Sequence, residues 1–176
     1  VLNGQSEFLN FPNPSLQPDF EFLNFFKEMK IPIKLEQTTL KIETVKNFKG
    51  LEANLNSCPD LFPVLAVLCA FANSPSRLYG APQLVHKESN RIAKVSELLT
   101  ALGVSHEPTH EGMIINPEGL LSPDQTKPFS YNTDHDHRLA FAAALVLSKS
   151  YPIQINLPEV VNKSFPEFWQ VVGLKP

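Results

Sequence analysis

Asp60 and Lys87 are 27 residues apart, and so are Asp136 and Lys163. An apolar stretch of helical length follows each aspartate, and each lysine reads as the opening of a further helix. A cation at a helix start opposes the helix dipole at a cost of about 0.3 to 1 kcal/mol when exposed. A repeated unit that keeps lysines there is expected to hold an anionic ligand. The run Lys87-Glu88-Ser89-Asn90-Arg91 reads as such a start, with Lys87 and Arg91 on one face and Glu88 beside Arg91. One reading is an anion clamp next to a carboxyl group able to donate a proton. The other is a solvated turn in which Glu88 and Arg91 form a surface pair, contributing about 0.3 to 0.5 kcal/mol. Spacing alone leaves both open.

Asp134-His135-Asp136-His137-Arg138 precedes the second apolar stretch, where Asp136, like Asp60 before the first, suits a helix N-cap. His135 and His137 are of metal-ligating type, yet a metal site wants three or four convergent donors, and His86, His106 and His110 are scattered. No metal is expected. Arg138 opens an otherwise apolar helix and has no acidic partner at helical spacing, a poor place for a merely solvated arginine. In Asn162-Lys163-Ser164-Phe165-Pro166-Glu167 a capping signature accounts for Ser164, Pro166 and Glu167 but not for Lys163.

The elements that must position these groups follow from periodicity and breakers. Helices are expected over Asp19 to Met29, Leu61 to Phe71, Asn90 to Leu102, Arg138 to Leu147 and Phe165 to Val172. Strands are expected over Ile31 to Leu35, Leu40 to Val45, Leu51 to Asn56, Ser76 to Gly80, Gly112 to Asn116 and Pro152 to Leu157. The alternation predicts an α/β or α+β domain. The stretches at Phe62 to Phe71 and Leu139 to Leu147 lack a polar stripe and belong inside. Thr39 to Glu43 and Pro152 to Asn156 alternate, as in sheets wet on one face. Helices within and sheets without invert the usual layering.

Aligning Met29-Lys30-Ile31 with Leu102-Gly103-Val104 places Ile42 and Ile115 at the same distance, 11 residues, beyond Ile31 and Val104. Three copies of one unit are expected. They run over about 1–57 (partial), 58–126 and 127–176 (partial).

A chain of 176 residues with 43% hydrophobic residues can bury a sizeable core. Net charge of -3 and a pI near 6.0 argue against a nucleic-acid partner. No apolar run reaches the length of a membrane span, and no secretory leader stands at the N-terminus, so a soluble, cytoplasmic protein without membrane contact is expected. Cys58 and Cys69 are the only cysteines, and Cys69 lies in an apolar run where a buried thiol fits better than a bridge. The chain begins at Val1 with an Asn- and Pro-rich segment to Pro18. A piece of a longer protein is expected.

Four motifs in order, Cys58-Pro59-Asp60-Leu61-Phe62-Pro63-Val64-Leu65-Ala66, Lys87-Glu88-Ser89-Asn90-Arg91-Ile92, Asp136-His137-Arg138-Leu139-Ala140 and Asn162-Lys163-Ser164-Phe165-Pro166, resemble those of 5-enolpyruvylshikimate-3-phosphate synthase. The resemblance covers essentially the whole chain and corresponds to the C-terminal portion of that enzyme. It implies an enolpyruvyl transferase-type, inside-out domain of βαβαββ repeats. It also implies transfer of the carboxyvinyl group of phosphoenolpyruvate to the 5-hydroxyl of shikimate 3-phosphate, with release of phosphate through a tetrahedral intermediate and no cofactor.

On that resemblance, Asp60 matches the carboxylate that contacts the shikimate hydroxyls and acts as base, with Lys87 at the same substrate. Glu88 matches the residue that protonates the methylene carbon of phosphoenolpyruvate. Arg91 and Arg138 match its carboxylate-binding arginines, and Lys163 a lysine near its phosphate. Gln83 stands near an asparagine-type substrate contact, Asn90 where the family usually has aspartate, and Val85 where it often has arginine. The family also uses an N-terminal domain with a lysine, a Ser-Ser-Gln run and further arginines, which this chain lacks, so the isolated chain is expected to be inactive. UDP-N-acetylglucosamine enolpyruvyl transferase and a non-catalytic anion-binding module are the alternatives.

Overall fold

The computed structural model describes residues 5–176, and these described residues run through nine strands and five α-helices. The first segment comprises β1 (Ser6–Phe8), α1 (Phe22–Glu28), β2 (Ile33–Glu36) and β3 (Thr39–Ile42). The second is β4 (Glu52–Asn54), α2 (Phe62–Ala70), β5 (Ser76–Tyr79), α3 (Arg91–Ala101), β6 (Ser105–Thr109) and β7 (Gly112–Asn116). The third is β8 (Phe129–Asn132), α4 (His137–Ser148), β9 (Ile153–Asn156) and α5 (Phe168–Val172).

Each segment builds its own sheet: β1-β3-β2, β4-β5-β7-β6 and β8-β9. The pairs β4 with β5 and β8 with β9 are parallel, and α2 and α4 form the crossovers between them. A parallel pair needs such a connection. The remaining pairs are antiparallel.

The layering is inside-out, as the patterning requires. All of α2 except Val64 is buried, and seven residues of α4 are buried. These two helices pack on each other, with α3 alongside. Strands β4 and β9 alternate buried with exposed positions, so the sheets keep one face on the helices and one in water.

The first and second segments end their last helix the same way. Lys30 (φ 61°) and Gly103 (φ 73°) both take the left-handed conformation after α1 and α3. Ile31 N–H then bonds Phe26 O, and Val104 N–H bonds Leu99 O. Each is a Schellman closure. Next, Lys49 N–H bonds Met29 O, and Leu121 N–H bonds Leu102 O.

Three strands differ from expectation: β1, β6 and β8 were not anticipated. β1 and β6 are edge strands with little apolar alternation, and ladder pairing to β3 and β7 defines them. Tertiary pairing here overrides propensity. The start expected at Lys87 is also corrected. Lys87 is extended (φ -77°, ψ -156°) after a 3-10 helix at Pro82–His86, and α3 begins at Arg91 with Asn90 accepting from Ala93 N–H. Lys163 likewise closes a 3-10 helix, Pro158–Lys163. Neither lysine opposes a helix start. Ser164 is not the expected N-cap but follows that 3-10 helix, its N–H bonding Val161 O, and α5 begins only at Phe168.

Because Lys30 occupies the place that glycine fills in the second segment, Lys30→Gly is expected to raise stability by about 0.5 to 1 kcal/mol, since left-handed backbone costs a side-chain-bearing residue about that much or more. Gly103→Ala is expected to lower it, because an added Cβ would lie 2.8 Å from Leu121 Cγ and 2.9 Å from Gly119 O. Urea unfolding midpoints of the two variants check this.

Candidate active site

Helix ends from two segments bring the charged groups together. Asp60 sits in a 3-10 turn, Pro59–Leu61, that leads into α2. Arg91 is the first residue of α3, Asp136 caps α4 by accepting Arg138 N–H at 3.0 Å, and His137 and Arg138 are the first residues of that helix. Left-handed Asp134 (φ 52°) and His135 (φ 59°) turn the chain into that cap. Asp60 caps nothing; its carboxylate is wholly given to side chains.

Arg91 is the hub, 2% exposed. Its Nε donates to Asp136 Oδ2 at 2.7 Å and its Nη2 to Asp136 Oδ1 at 3.2 Å. Its Nη1 donates to Asp60 Oδ1 at 2.7 Å. Ser89 Oγ adds a bond to Asp136 Oδ2 at 3.0 Å. This fork-to-carboxylate arrangement is the one guanidinium geometry favours. The surface pair between Glu88 and Arg91 is therefore not formed.

Asp60 gathers the other cations. Lys87 Nζ stands 3.4 Å from its Oδ1, and Arg138 Nη2 donates to its Oδ2 at 3.2 Å. Arg138 Nη1 lies 3.7 Å from Asp19 of the first segment, and Arg138 Nε is buried with no hydrogen-bond partner among the described residues. Beside this group, Glu88 Oε1 bonds Lys163 Nζ, and Glu88 Oε2 lies 3.2 Å from His137 Nδ1. Thus Lys87, Arg91, Arg138 and Lys163 converge, each on a carboxylate, with four positive side chains against Asp60, Glu88 and Asp136.

Gln83 stands outside this network. Its amide donates weakly to Asn56 O at 3.5 Å, across the loop that leads to Asp60. Next to the network lies a cleft of about 340 Å³, lined in part by Asp19, Ser57, Asp60 and Lys87. A larger groove of about 700 Å³ between α3 and β6 holds none of these charged groups.

Burial pushes the carboxyls of Asp60 and Asp136 up, but hydrogen bonds and charge from Arg91 outweigh it, helped by Arg138 and Lys87 at Asp60 and by Ser89 and the Arg138 amide at Asp136. Both end below the ordinary aspartate range. Burial alone would lower the Arg91 guanidinium; Asp136 and Asp60 reverse that and raise it.

Glu88, Asp136 and His137 carry ligand-type atoms within 4.8 Å of one another. Both Asp136 oxygens already accept from the Arg91 guanidinium. A metal ion there would sit against Arg91 and Lys163, and the donor set does not suit one. His135 is exposed and lies outside the trio.

Sequence reading missed His137 as the partner of Glu88, Asp136 as the anchor of Arg91, and Asp19. The matched 27-residue spacing marked Asp136 as the counterpart of Asp60; nothing in the sequence marks Asp19. Cys58 and Cys69 are both free and buried, as the apolar run around Cys69 implied.

With a buried Arg91 joining two aspartates and three more cations around them, comparison with known proteins decides the kinship. A family model described as EPSP synthase (3-phosphoshikimate 1-carboxyvinyltransferase) matches residues 4–172. The chain belongs to the EPSP synthase family. Among relatives named 3-phosphoshikimate 1-carboxyvinyltransferase, that of Chlamydia pneumoniae is 31% identical over 160 residues, covering 90% of this chain and 34% of the relative. That of Methanosphaerula palustris is 32% identical over 173 residues, covering 98% of this chain and 40% of the relative. A solved EPSP synthase from Acinetobacter baumannii shares the fold with a TM-score of 0.79 at 24% identity, over 97% of this chain and 42% of that one. The chain thus spans well under half the length of these EPSP synthase relatives. No described helix is long and apolar enough to cross a membrane.

Asp136→Asn leaves Arg91 buried without its bidentate partner and is expected to cost about 3 to 5 kcal/mol at neutral pH. Aspartates whose folded pKa is depressed contribute stability that is complete above the unfolded value, about 3.9, and lost as pH falls through the folded value. Unfolding measured across that acid range should show a shallower loss in Asp136→Asn than in the parent chain. An identical acid limb would contradict the assignment.

Proposed function

We propose that this chain is the C-terminal part of an enzyme that transfers the carboxyvinyl group of phosphoenolpyruvate to the 5-hydroxyl of shikimate 3-phosphate. Both substrates are anions. The observation that carries the reading is the convergence of Lys87, Arg91 and Arg138 on Asp60, with Glu88 held between Lys163 and His137. Family membership and the names of the relatives support it.

In this reading Asp60 takes the proton of the attacking hydroxyl, with Lys87 beside the same oxygen. Arg138 and the remaining donors of Arg91 bind the carboxylate of phosphoenolpyruvate, and the unpaired Arg138 Nε is one donor free for it. Lys163 faces the phosphate. Glu88 delivers a proton to the methylene carbon as the carbon–oxygen bond forms, giving the tetrahedral intermediate, and recovers it as phosphate leaves. The positive groups expected near Glu88 were Lys87 and Arg91; its partners are instead Lys163 and His137. An incoming phosphate that draws Lys163 away leaves Glu88 with His137 as its remaining partner. Gln83 contributes, at most, a polar contact at the rim of the shikimate side.

Three copies of the folding unit, over about 1–57, 58–126 and 127–176, gather these groups, and the remainder of the enzyme closes over them to exclude water. The protein works in the cytoplasm, with no cofactor, nucleic acid or membrane partner.

Incubated with both substrates, the 176-residue chain is expected to release no phosphate above background. In the complete enzyme, Glu88→Gln is expected to lower turnover by about 10²- to 10⁴-fold, the usual worth of a positioned proton donor. Phosphate release measures both, and full turnover by Glu88→Gln would refute the proton-donor role.

A further inference from the structure

Away from the anion site, a second pair of side chains has the geometry of a nucleophile and its base. Ser96, midway along α3, faces His106 of β6, with Ser96 Oγ 2.7 Å from His106 Nε2. The other ring nitrogen, Nδ1, lies 2.8 Å from Val104 O. A carbonyl oxygen only accepts, so Nδ1 carries the ring proton and donates it to Val104 O. In the neutral ring Nε2 is then an acceptor, and the Ser96 hydroxyl donates to it. A hydroxyl bonded to a base that a third group orients is the arrangement of an activated nucleophile.

Both bonds rest on fixed backbone. The Schellman closure after α3 holds Val104, whose N–H bonds Leu99 O, and the ladder to β7 sets His106 opposite Ile115. One turn along α3, Thr100 Oγ1 donates to Ser96 O at 2.8 Å, which leaves Ser96 Oγ to His106. The internal repeat shows that the fold does not need this polar pair. In the alignment of Met29-Lys30-Ile31 with Leu102-Gly103-Val104, Leu23 and Ile33 stand where Ser96 and His106 do, and Ile33 pairs with Ile42 in the register in which His106 pairs with Ile115. Apolar residues serve in that place.

Ser96 also lines the groove of about 700 Å³ between α3 and β6. Val85, Ile92, Ala93 and Pro108 give the groove apolar walls, and Glu97, paired with Lys94, is its one charged lining residue among the described residues. An uncharged ligand with an apolar body suits such walls; an anion would meet Glu97.

We propose that Ser96 is an acyl-accepting site, with His106 as its base, for small uncharged activated esters of the aryl ester or thioester class. Ser96 Oγ bonds to the acyl carbon while its proton passes to His106 Nε2. The bond from the acyl carbon to the aryl oxygen or thioester sulfur breaks, and the leaving group takes the proton from Nε2. The product is an ester on Ser96 and a free phenol or thiol. None of the ion-pair residues takes part, so the site stands apart from the carboxyvinyl-transfer reading.

The test treats the folded 176-residue chain with para-nitrophenyl acetate and locates acetyl groups by peptide mass mapping. Ser96 is expected to be acetylated about 10²-fold faster than the exposed Ser105, the lower end of what a positioned base contributes. His106→Gln keeps a hydrogen-bonding group near Ser96 but no base, and His106→Ile copies the residue of the first segment. Each is expected to remove the rate advantage of Ser96 while the urea unfolding midpoint stays near that of the parent. Acetylation of Ser96 no faster than that of Ser105, or a His106→Gln chain acetylated at Ser96 as fast as the parent, would overturn the proposal.

Discussion

A guanidinium removed from water costs several kcal/mol, and only well-aligned anions recover that cost. Arg91 meets the condition with Asp136 on two donors and Asp60 on a third. These aspartates come from different segments of the chain, one leading into α2 and the other capping α4. A contact that ties the second segment to the third, beside the apolar packing of α2 on α4, is therefore also the contact that builds the charged site. Lys87 approaches the same Asp60 oxygen that Arg91 holds, and Arg138 takes the other.

The inside-out layering explains why such a site forms at all. The buried apolar helices α2 and α4 and the amphipathic α3 point their starting ends at one locus, as the bonds among Asp60, Arg91 and Asp136 require. Partial positive charge at those ends adds to the side-chain cations. Strands on the outside leave that end uncovered, with Asp19 the sole described contribution of the first segment to the ion pairs there.

Much of this was legible in the residues. Apolar stretches without a polar stripe announced α2 and α4, and the alternation in Thr39 to Glu43 and Pro152 to Asn156 announced one-sided sheets. Two glycine-like turns, Lys30 and Gly103, lay at the positions the repeat alignment had matched. Asp60, Lys87, Glu88, Arg91, Arg138 and Lys163 do meet. What sequence could not reveal was pairing across segments: Glu88 reads toward Arg91 along the chain, yet in space it faces His137 and Lys163. Strands such as Ser105–Thr109 likewise exist through their neighbours rather than through their own pattern. The lysines drew attention as misplaced helix-start cations, and that premise was wrong, because each closes or follows a 3-10 helix. Their equal distance of 27 residues from Asp60 and Asp136 was the real signal.

The central claim is that one immobilised guanidinium, locked between two aspartates, organises the site. Nitrogen-15 NMR of the arginine side chains in the intact chain tests it most directly. The account predicts resolved, slowly exchanging Nη protons for Arg91, distinct from the averaged signals of solvent-exposed Arg77. A single averaged, rapidly exchanging Arg91 signal at neutral pH would contradict it.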